Sequence, residues 1–483
     1  MVTSDRRKWL ALALLSAVQF MVVLDIAIVN VALPSIQVDL GFSQENLQWV
    51  ISAYALVFGG FLLLGGRAAD LLGRRKIFLG GLIVFTLASL FAGLAWSEAS
   101  LISARALQGL GAAVITPAAL SILSVTFAEG RERNIALGVW GAVGGFGAAA
   151  GVLMGGVLTD ALGWEWIFFV NVPVGVIAFL AAPLLLHESR DASVKSFDAV
   201  GAVAVTAGLS SAVYAITQAA SDGWLAGRTL AFFAAAVVLL VGFVAWELRH
   251  PEPLMRFGIL RTKTVAGANV AGFILGTATF SLFLMLTLYM QQVLGYSAMK
   301  TGVAYLAVAG TAIFTSALAA QLVTKVGVKP VLLVGMSSLT GGLLYFTQVS
   351  VSGSYVGDLL PGFLLIALGL GFSFVPISIA ALAGIQPAEA GLASGLINTS
   401  QQIGGALGIA ALSTIATSRT EDAVAGGASQ ASALVTGFHG AFLAGVIIAA
   451  LGIVATATLI RRDELEQPVA EIETAEPALD LAA

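Results

Sequence analysis

Gly66-Arg67-Ala68-Ala69-Asp70-Leu71-Leu72-Gly73-Arg74-Arg75-Lys76 stands between two apolar runs, Leu47–Gly66 and Ile77–Trp96. Each run matches the roughly 20 apolar residues that a helix needs to cross a bilayer. The cations of the stretch then mark a short turn on one side of a membrane. Cytoplasmic loops collect Lys and Arg, so this side reads as the inner one. That bias accounts for Arg74, Arg75 and Lys76 but not for Asp70. Gly73 suits a tight turn. Asp70 can accept from helix N-terminal amides and from a neighbouring Arg, which makes the stretch, with Gly66 and Arg67, a candidate gating latch.

Outward from this turn the whole chain has the same character. Only 10% of its 483 residues are charged, against roughly 25% in an ordinary soluble domain. Its mean hydropathy is +0.97, which excludes a soluble globular enzyme and a disordered chain. A net charge of −4 gives no basic surface for a phosphate backbone, so no nucleic-acid partner is expected. Cysteine is absent and His occurs three times, so no disulfide framework or multi-histidine metal site is expected.

Fourteen apolar spans can be read. The first six lie near Trp9–Asn30, Leu47–Gly66, Ile77–Trp96, Leu101–Phe127, Ile135–Thr159 and Trp166–Leu186. Two follow near Ala199–Ala219 and Thr229–Trp246. The last six lie near Val265–Val293, Gly302–Thr324, Val328–Val349, Leu359–Leu382, Leu392–Ala416 and Phe438–Ile460. Arg6-Arg7-Lys8 before an apolar run resembles a signal peptide, but that run continues to Asn30 and thirteen spans follow, so it reads as a retained first helix. With the N-terminus inside, 19 of the 23 cations fall on inner segments, three fall outside (Arg228, Lys300, Arg419), and Arg105 lies within a span. A miscount would have scrambled that alternation, so both ends are expected in the cytoplasm.

The chain also repeats itself. Leu40-Gly41-Phe42-Ser43 returns as Leu294-Gly295-Tyr296-Ser297, and Gly73 and Arg75 return as Gly327 and Lys329. Gly109-Leu110-Gly111 returns as Gly369-Leu370-Gly371, and Gly147 and Gly151 return as Gly404 and Gly408. Spans one to six therefore repeat as spans nine to fourteen, with spans seven and eight inserted. The expected class is an all-α polytopic membrane protein of two pseudo-symmetric six-helix bundles plus two linker helices. Its divisions are a cytoplasmic N-terminus (1–8), a first bundle (9–186), a linker with two helices (187–263), a second bundle (264–460) and a disordered cytoplasmic tail (461–483). Two bundles in one orientation suit a transporter that rocks around a midplane site.

Deep within the spans stand one acid, Asp25, and one base, Arg105. Intramembrane charges are costly, and face a cavity or a partner. The plain reading is a structural pair that locks span one to span four. The functional reading is a proton site, because burial favours a neutral carboxyl and a nearby guanidinium favours the charged one. Gln108 lies one turn from Arg105 on the same face. Gly147, Gly151 and Gly155, with Gly156, form a small-residue stripe in span five that reads as tight helix packing. Residues expected to face a substrate cavity are Gln19, Asn30, Tyr54, Gln108, Phe280, Phe283, Tyr289, Asn398 and Gln401, in a mostly apolar wall. His439 reads as a structural His.

Leu24-Asp25-Ile26-Ala27-Ile28-Val29-Asn30-Val31-Ala32-Leu33-Pro34 resembles the first-helix motif of fourteen-span drug:proton antiporters of the major facilitator superfamily. Gly66–Lys76 resembles that superfamily's hallmark loop, and Leu101–Gly111 its fourth-helix Arg motif. Trp164-Glu165-Trp166-Ile167-Phe168 through Asn171-Val172-Pro173-Val174-Gly175 is similar to the start of the sixth helix in the same group. The resemblance covers Trp9 to about Ile460 and implies the major facilitator fold. It implies proton coupling at Asp25 with Arg105 as partner, and gating at Asp70 and Arg74. In the family's span-five antiporter motif a Gly-Pro precedes a Gly-Gly pair, whereas here Gly151 is followed by Val152 and then Gly155-Gly156. The half-repeat is degenerate where coupling is implied: Asp70 matches Thr324, and Arg105 falls near Leu365.

The expected function is proton-coupled export of lipophilic neutral, zwitterionic or monocationic small molecules by alternating access, in a bacterial inner membrane. The proton gradient drives it, no cofactor is expected, and the partners are substrate, protons and lipid around a monomer. A dedicated exporter of an endogenous metabolite, antibiotic or lipid would share every motif. Fourteen-span peptide importers carry a Glu-x-x-Glu-Arg signature in the first helix, which Leu14–Asn30 lacks. No nucleophile triad, paired carboxylate or filter-like ring stands in the spans, against an enzyme or a channel.

Overall fold

The computed structural model describes residues 4–43, 46–127, 131–190, 198–251, 253–254, 257–385 and 390–465. The first half holds α1 (Ser4–Leu40), α2 (Trp49–Leu72), α3 (Arg74–Gly93), α4 (Glu98–Thr126), α5 (Arg131–Leu162), the short α6 (Trp166–Phe169) and α7 (Asn171–Leu185). Next come α8 (Ala199–Ser221) and α9 (Gly227–Glu247). The second half holds α10 (Lys263–Leu288), α11 (Ala298–Val326), α12 (Val328–Phe346), α13 (Leu360–Ala380), α14 (Ala390–Ala425), α15 (Gln430–Leu459) and the short α16 (Arg462–Leu465). Among the described residues twelve helices are long and apolar enough to cross a membrane. The long helices α5 and α14 pack against α1 and α10. Helices are what such a sequence must form, because in lipid every backbone polar group needs a partner within its own segment.

The stretch from Gly66 to Lys76 is not the loop expected from the sequence. α2 runs on through Gly66, Arg67 and Asp70 to Leu72, and α3 starts at Arg74. Gly73 alone makes the turn, at φ 113°. Gly327 turns α11 into α12 in the same way at φ 88°, and Gly41 and Gly295 match at φ 69° and 67°.

The helix contacts repeat as well. A Cβ on Gly81 would meet Val114 and Ile115, and one on Gly335 would meet Phe372 and Ser373. Gly111 sits 2.7 Å from the Phe85 amide nitrogen, and Gly369 sits 2.7 Å from that of Leu339, measured from an added Cβ. Gly151 rests on Leu24 and Ala27 of α1, and Gly408 rests on Thr277 of α10. These contacts shift the span-four register by two residues from the sequence match. Gly111 corresponds to Gly369, not Gly371, and Arg105 corresponds to Phe363, not to the neighbourhood of Leu365. Glycine runs offer several registers to a sequence comparison, and packing selects one.

α8 lies against α2 and α14, where the two halves meet. Gln48 Nε2 donates to Thr217 Oγ1 at 2.9 Å, and Thr414 Oγ1 donates to the Ile216 carbonyl at 3.2 Å. α9 stands outside α8 and exposes Val237, Val238 and Val241. Burial adds two acids to Asp25: Asp198 and Glu247, at the ends of α8 and α9, are each 2% exposed. Asp198 caps α8 through the Gly201 amide and accepts from Trp246 Nε1. The segment expected to be a disordered tail begins with α16, whose Glu464 accepts from the Thr264 amide at 2.7 Å. The rest of that tail, 466–483, lies outside the described residues, as does most of the stretch before α8.

Candidate functional site

Five helices of the first half converge on Asp25. The residue lies well inside the 37-residue α1 and is fully buried. Arg105, 1% exposed, reaches it from α4, with Nη1 2.6 Å from Oδ2. The other carboxylate oxygen accepts from Gln108 Nε2 at 3.0 Å and from Asn171 Nδ2 at 2.8 Å. Gln108 Nε2 also donates to Ser89 Oγ on α3, and its Oε1 accepts from Arg105 Nη1. Arg105 Nε donates to the Val50 carbonyl near the start of α2 at 2.9 Å. The guanidinium lies 4.4 Å from the Tyr54 ring centroid and 5.7 Å from that of Phe168. Burial without partners would cost each ion several kcal/mol, so this dense network is what allows the charges to sit there.

The corresponding place in the second half holds no charge. Phe363 stands at the Arg105 position and packs 5.4 Å from Tyr305 and 5.8 Å from Phe346. Phe346 in turn lies 5.7 Å from Phe442. The same backbone contacts therefore enclose a polar knot in one half and an aromatic one in the other.

The basic end carries the latch. Arg74 Nε donates to Asp70 Oδ1 at 2.8 Å, and Ser121 Oγ on α4 donates to the same oxygen at 3.2 Å. The amides at the start of α3 do not go to Asp70, as the sequence had led us to expect. Arg75 N and Lys76 N donate to Glu188, and Arg74 N donates to the Ser189 carbonyl. Asp70 belongs to the helix before the turn, so it cannot cap the helix after it. Arg75 Nη1 donates to the Leu186 carbonyl, and Arg67 Nη1 to the Pro253 carbonyl.

A Cβ on Gly73 would lie 2.8 Å from Glu188 Oε1, whereas one on Gly327 would meet nothing within 4 Å. Both positions carry the positive φ that side chains resist, at about 1–3 kcal/mol. Gly73→Ala is expected to lower the melting temperature further than Gly327→Ala, because only the first displaces the Glu188 cap. Equal shifts in thermal unfolding would show that Glu188 contributes nothing to the turn.

The halves meet at the opposite end of the helices. Gln291 Nε2 donates to the Val31 carbonyl at 2.8 Å, and Gln292 Nε2 to Gln37 Oε1 at 3.0 Å. Both glutamines stand on a π-helical turn, Tyr289–Val293, that continues α10. Met299 N donates to Asp160 Oδ2 at 2.9 Å. Gly156 faces the Ala298 carbonyl of α11 at 2.6 Å from an added Cβ, and Gly302 faces the Val152 carbonyl. Val152, where the motif that the sequence resembles carries proline, thus lies in this seam. Gly147, Gly151 and Gly155 face α1 instead.

The residues expected to line a cavity separate into two groups. Tyr54, Gln108 and Tyr289 are buried; the first two belong to the Asp25 network, and Tyr289 donates to the Ser350 carbonyl at 2.6 Å. Gln19, Asn30, Phe280, Phe283 and Gln401 are half-buried, and Asn398 is exposed. Asn30 donates back to the Ile26 carbonyl, and the Phe283 ring packs at a tilt 5.1 Å from that of Tyr305. His439 Nε2 lies 2.7 Å from the Val349 carbonyl. Ser89, Asn171 and Glu188 escaped the sequence reading. Asn171 carried a usable signal, being an amide side chain at the head of an apolar helix.

The profile of the Major Facilitator Superfamily matches residues 15–409. The puromycin resistance protein pur8 of Streptomyces alboniger is 40% identical over 453 residues, 92% of this chain and 90% of its own. The cephamycin export protein CmcT of Amycolatopsis lactamdurans is 39% identical over 415 residues, 85% of each chain. A bacterial homologue of the human lysosomal transporter Spinster, in an inward-facing and unoccupied conformation, superposes with a TM-score of 0.66. The superposition covers 96% of this chain and 99% of that one at 18% identity, a likeness of fold alone. Helices of membrane-spanning length, a repeated set of glycine contacts and a matching profile meet in one conclusion: this chain is a multi-span membrane transporter that belongs to the Major Facilitator Superfamily.

Proposed function

We propose that the chain is a proton-coupled exporter of lipophilic neutral, zwitterionic or monocationic compounds. In this reading it has fourteen spans, with α6 and α7 together forming the sixth. α1–α7 and α10–α15 form two pseudo-symmetric six-span bundles, α8 and α9 are the inserted pair, and both termini lie in the cytoplasm of a bacterial cell. The observation that carries the reading is the buried Asp25–Arg105 pair, an intramembrane acid held against a permanent cation. The resistance and export roles in the names of its relatives point the same way.

With the basic end inside, the seam at Gln291, Gln292 and Gly156 closes the outer side. A compound then enters from the cytoplasm between the halves, past Gln19, Asn30, Phe280, Phe283, Asn398 and Gln401. The bundles rock, the seam parts and the cavity opens outward. A proton arriving on Asp25 cancels its attraction for Arg105. The new hydroxyl needs an acceptor, and Asn171 Oδ1 is buried there without a hydrogen bond. Rotation of the Asn171 amide turns that oxygen to the acid. Tyr54 and Gln108 keep the guanidinium in place meanwhile. The return swing brings the proton inward, and Asp70, Arg74 and Glu188 hold the inner latch. The machine works as a monomer without a cofactor.

Proteoliposomes with an imposed pH gradient test this directly. Ethidium is expected to trigger proton movement in the wild type and none in Asp25→Asn. Full proton-linked flux in that variant would overturn the proposal. A dedicated exporter of one natural product is the second reading, favoured by the cephamycin export protein among its relatives. One transported compound in a broad panel would support it.

A further inference from the structure

A hollow of about 450 Å³ lies at the seam end of the helices; Asp25 and Arg105 do not line it, and its Gln48 stands two residues from Val50. Leu47 and Gln48 at the head of α2 form one side, and α10, α14 and α15 form the others. Its floor and walls are mostly apolar, with Leu284, Met285, Leu288 and Phe438 among them. Gln48, Ser413, Thr417, Thr420, Glu421 and Gln430 interrupt this surface, and Ser413 and Glu421 bear most on what it can hold. Ser413 is 7% exposed, and its buried hydroxyl has no hydrogen-bond partner. A hydroxyl left so costs about 1–3 kcal/mol unless something in the hollow answers it. Glu421 stands two turns further along α14, about 12 Å from Ser413 at 1.5 Å per residue, and also lines the hollow.

The charges at the rim have one sign. Glu421 is exposed and has no ion pair among the described residues. Asp422 follows it in the chain. The nearest cation along α14, Arg419, lies on another face, where its Nε is 3.0 Å from the Cβ position of Gly440 on α15. An apolar chamber with a carboxylate at its mouth and an idle hydroxyl in its wall complements one class of molecule.

We propose that this hollow binds a lipophilic organic monocation from the outer side, with its charge at Glu421 and its apolar body between α10 and α15. It is an outer station of the space between the halves, where an exported cation pauses before leaving. The assignment of this end as outer rests on the function proposed above.

The chain contains no cysteine, so one can be placed at will. Thr417→Cys puts a thiol in the lining of the hollow. In intact cells a membrane-impermeant maleimide is expected to label it, and tetraphenylphosphonium to protect it. Adding Glu421→Gln is expected to raise the half-protecting concentration about fivefold, the value of a partly exposed ion pair. Adding Ser413→Leu is expected to narrow the chamber, remove its unpaired hydroxyl and weaken protection. Val351→Cys, at an exposed position, should be labelled regardless. Absence of labelling or of protection, or protection indifferent to both added changes, overturns the proposal. Ethidium export is followed in the same cells. Normal export without protection removes the hollow and leaves the exporter. Protection without export does the reverse.

Discussion

Asp25→Asn is expected to be both inactive and markedly unstable, and Arg105→Met inactive but less unstable. Each removes one member of a pair held at 2.6 Å with no exposure to solvent beyond 1%. The difference comes from what is left behind. A lone buried carboxyl can escape its charge by binding a proton, whereas a guanidinium cannot release its own. Breaking a buried pair costs about 3–5 kcal/mol when the remaining charge stays uncompensated. The double variant Asp25→Asn/Arg105→Met removes both charges and is expected to recover most of that stability without recovering transport. Thermal unfolding of the three purified proteins checks the order. A double variant no more stable than Asp25→Asn would mean that the pair carries no coupling energy. Transport by the double variant would mean that the pair is structural only.

Gly156→Leu is expected to stop transport by a different route. Its Cβ would lie 2.6 Å from the Ala298 carbonyl, a backbone atom that cannot turn aside. The seam between α5 and α11 cannot then close, while the half containing Gly156 keeps its own fold. A clash of about 3 kcal/mol moves a two-state balance roughly a hundredfold. The protein should rest outward-open. A cysteine at Gln291, whose side chain bonds across the seam, should become reactive to an outside maleimide only when Gly156→Leu is present. Unchanged labelling together with normal flux would show that the seam is not the outer gate.

The all-helical, multi-span character was legible in the sequence because apolar runs of about 20 residues recur along the whole chain. The Asp25–Arg105 pair was legible because two charges inside apolar runs have few other partners. Asn171 and Ser89 were not, since a single amide or hydroxyl in an apolar helix declares no direction. Glu188 was hidden for another reason. It lies 113 residues from Arg75 at the turn that it caps, and its contact exists only once the chain beyond α7 has returned to the end where α2 meets α3. The turn itself was misjudged in length because a helix can continue through polar residues beyond its apolar run, as α2 does to Leu72. The span-four register slipped because Gly109, Gly111, Gly369 and Gly371 offer two alignments, and only the contacts with Phe85 and Leu339 distinguish them.

The aromatic knot around Phe363 has an electrical consequence. Where Arg105 has no counterpart and the position of Asp25 is not repeated, the proposed cycle moves one proton per turn. Exchange of that proton for a monocation transfers no net charge. Such transport responds to the pH difference and ignores the membrane voltage. Exchange for a neutral compound carries one elementary charge, and each 100 mV then contributes about 2.3 kcal/mol of driving force. One protein would thus draw on the pH difference alone, or on the pH difference and the voltage together, according to the charge of the molecule it carries.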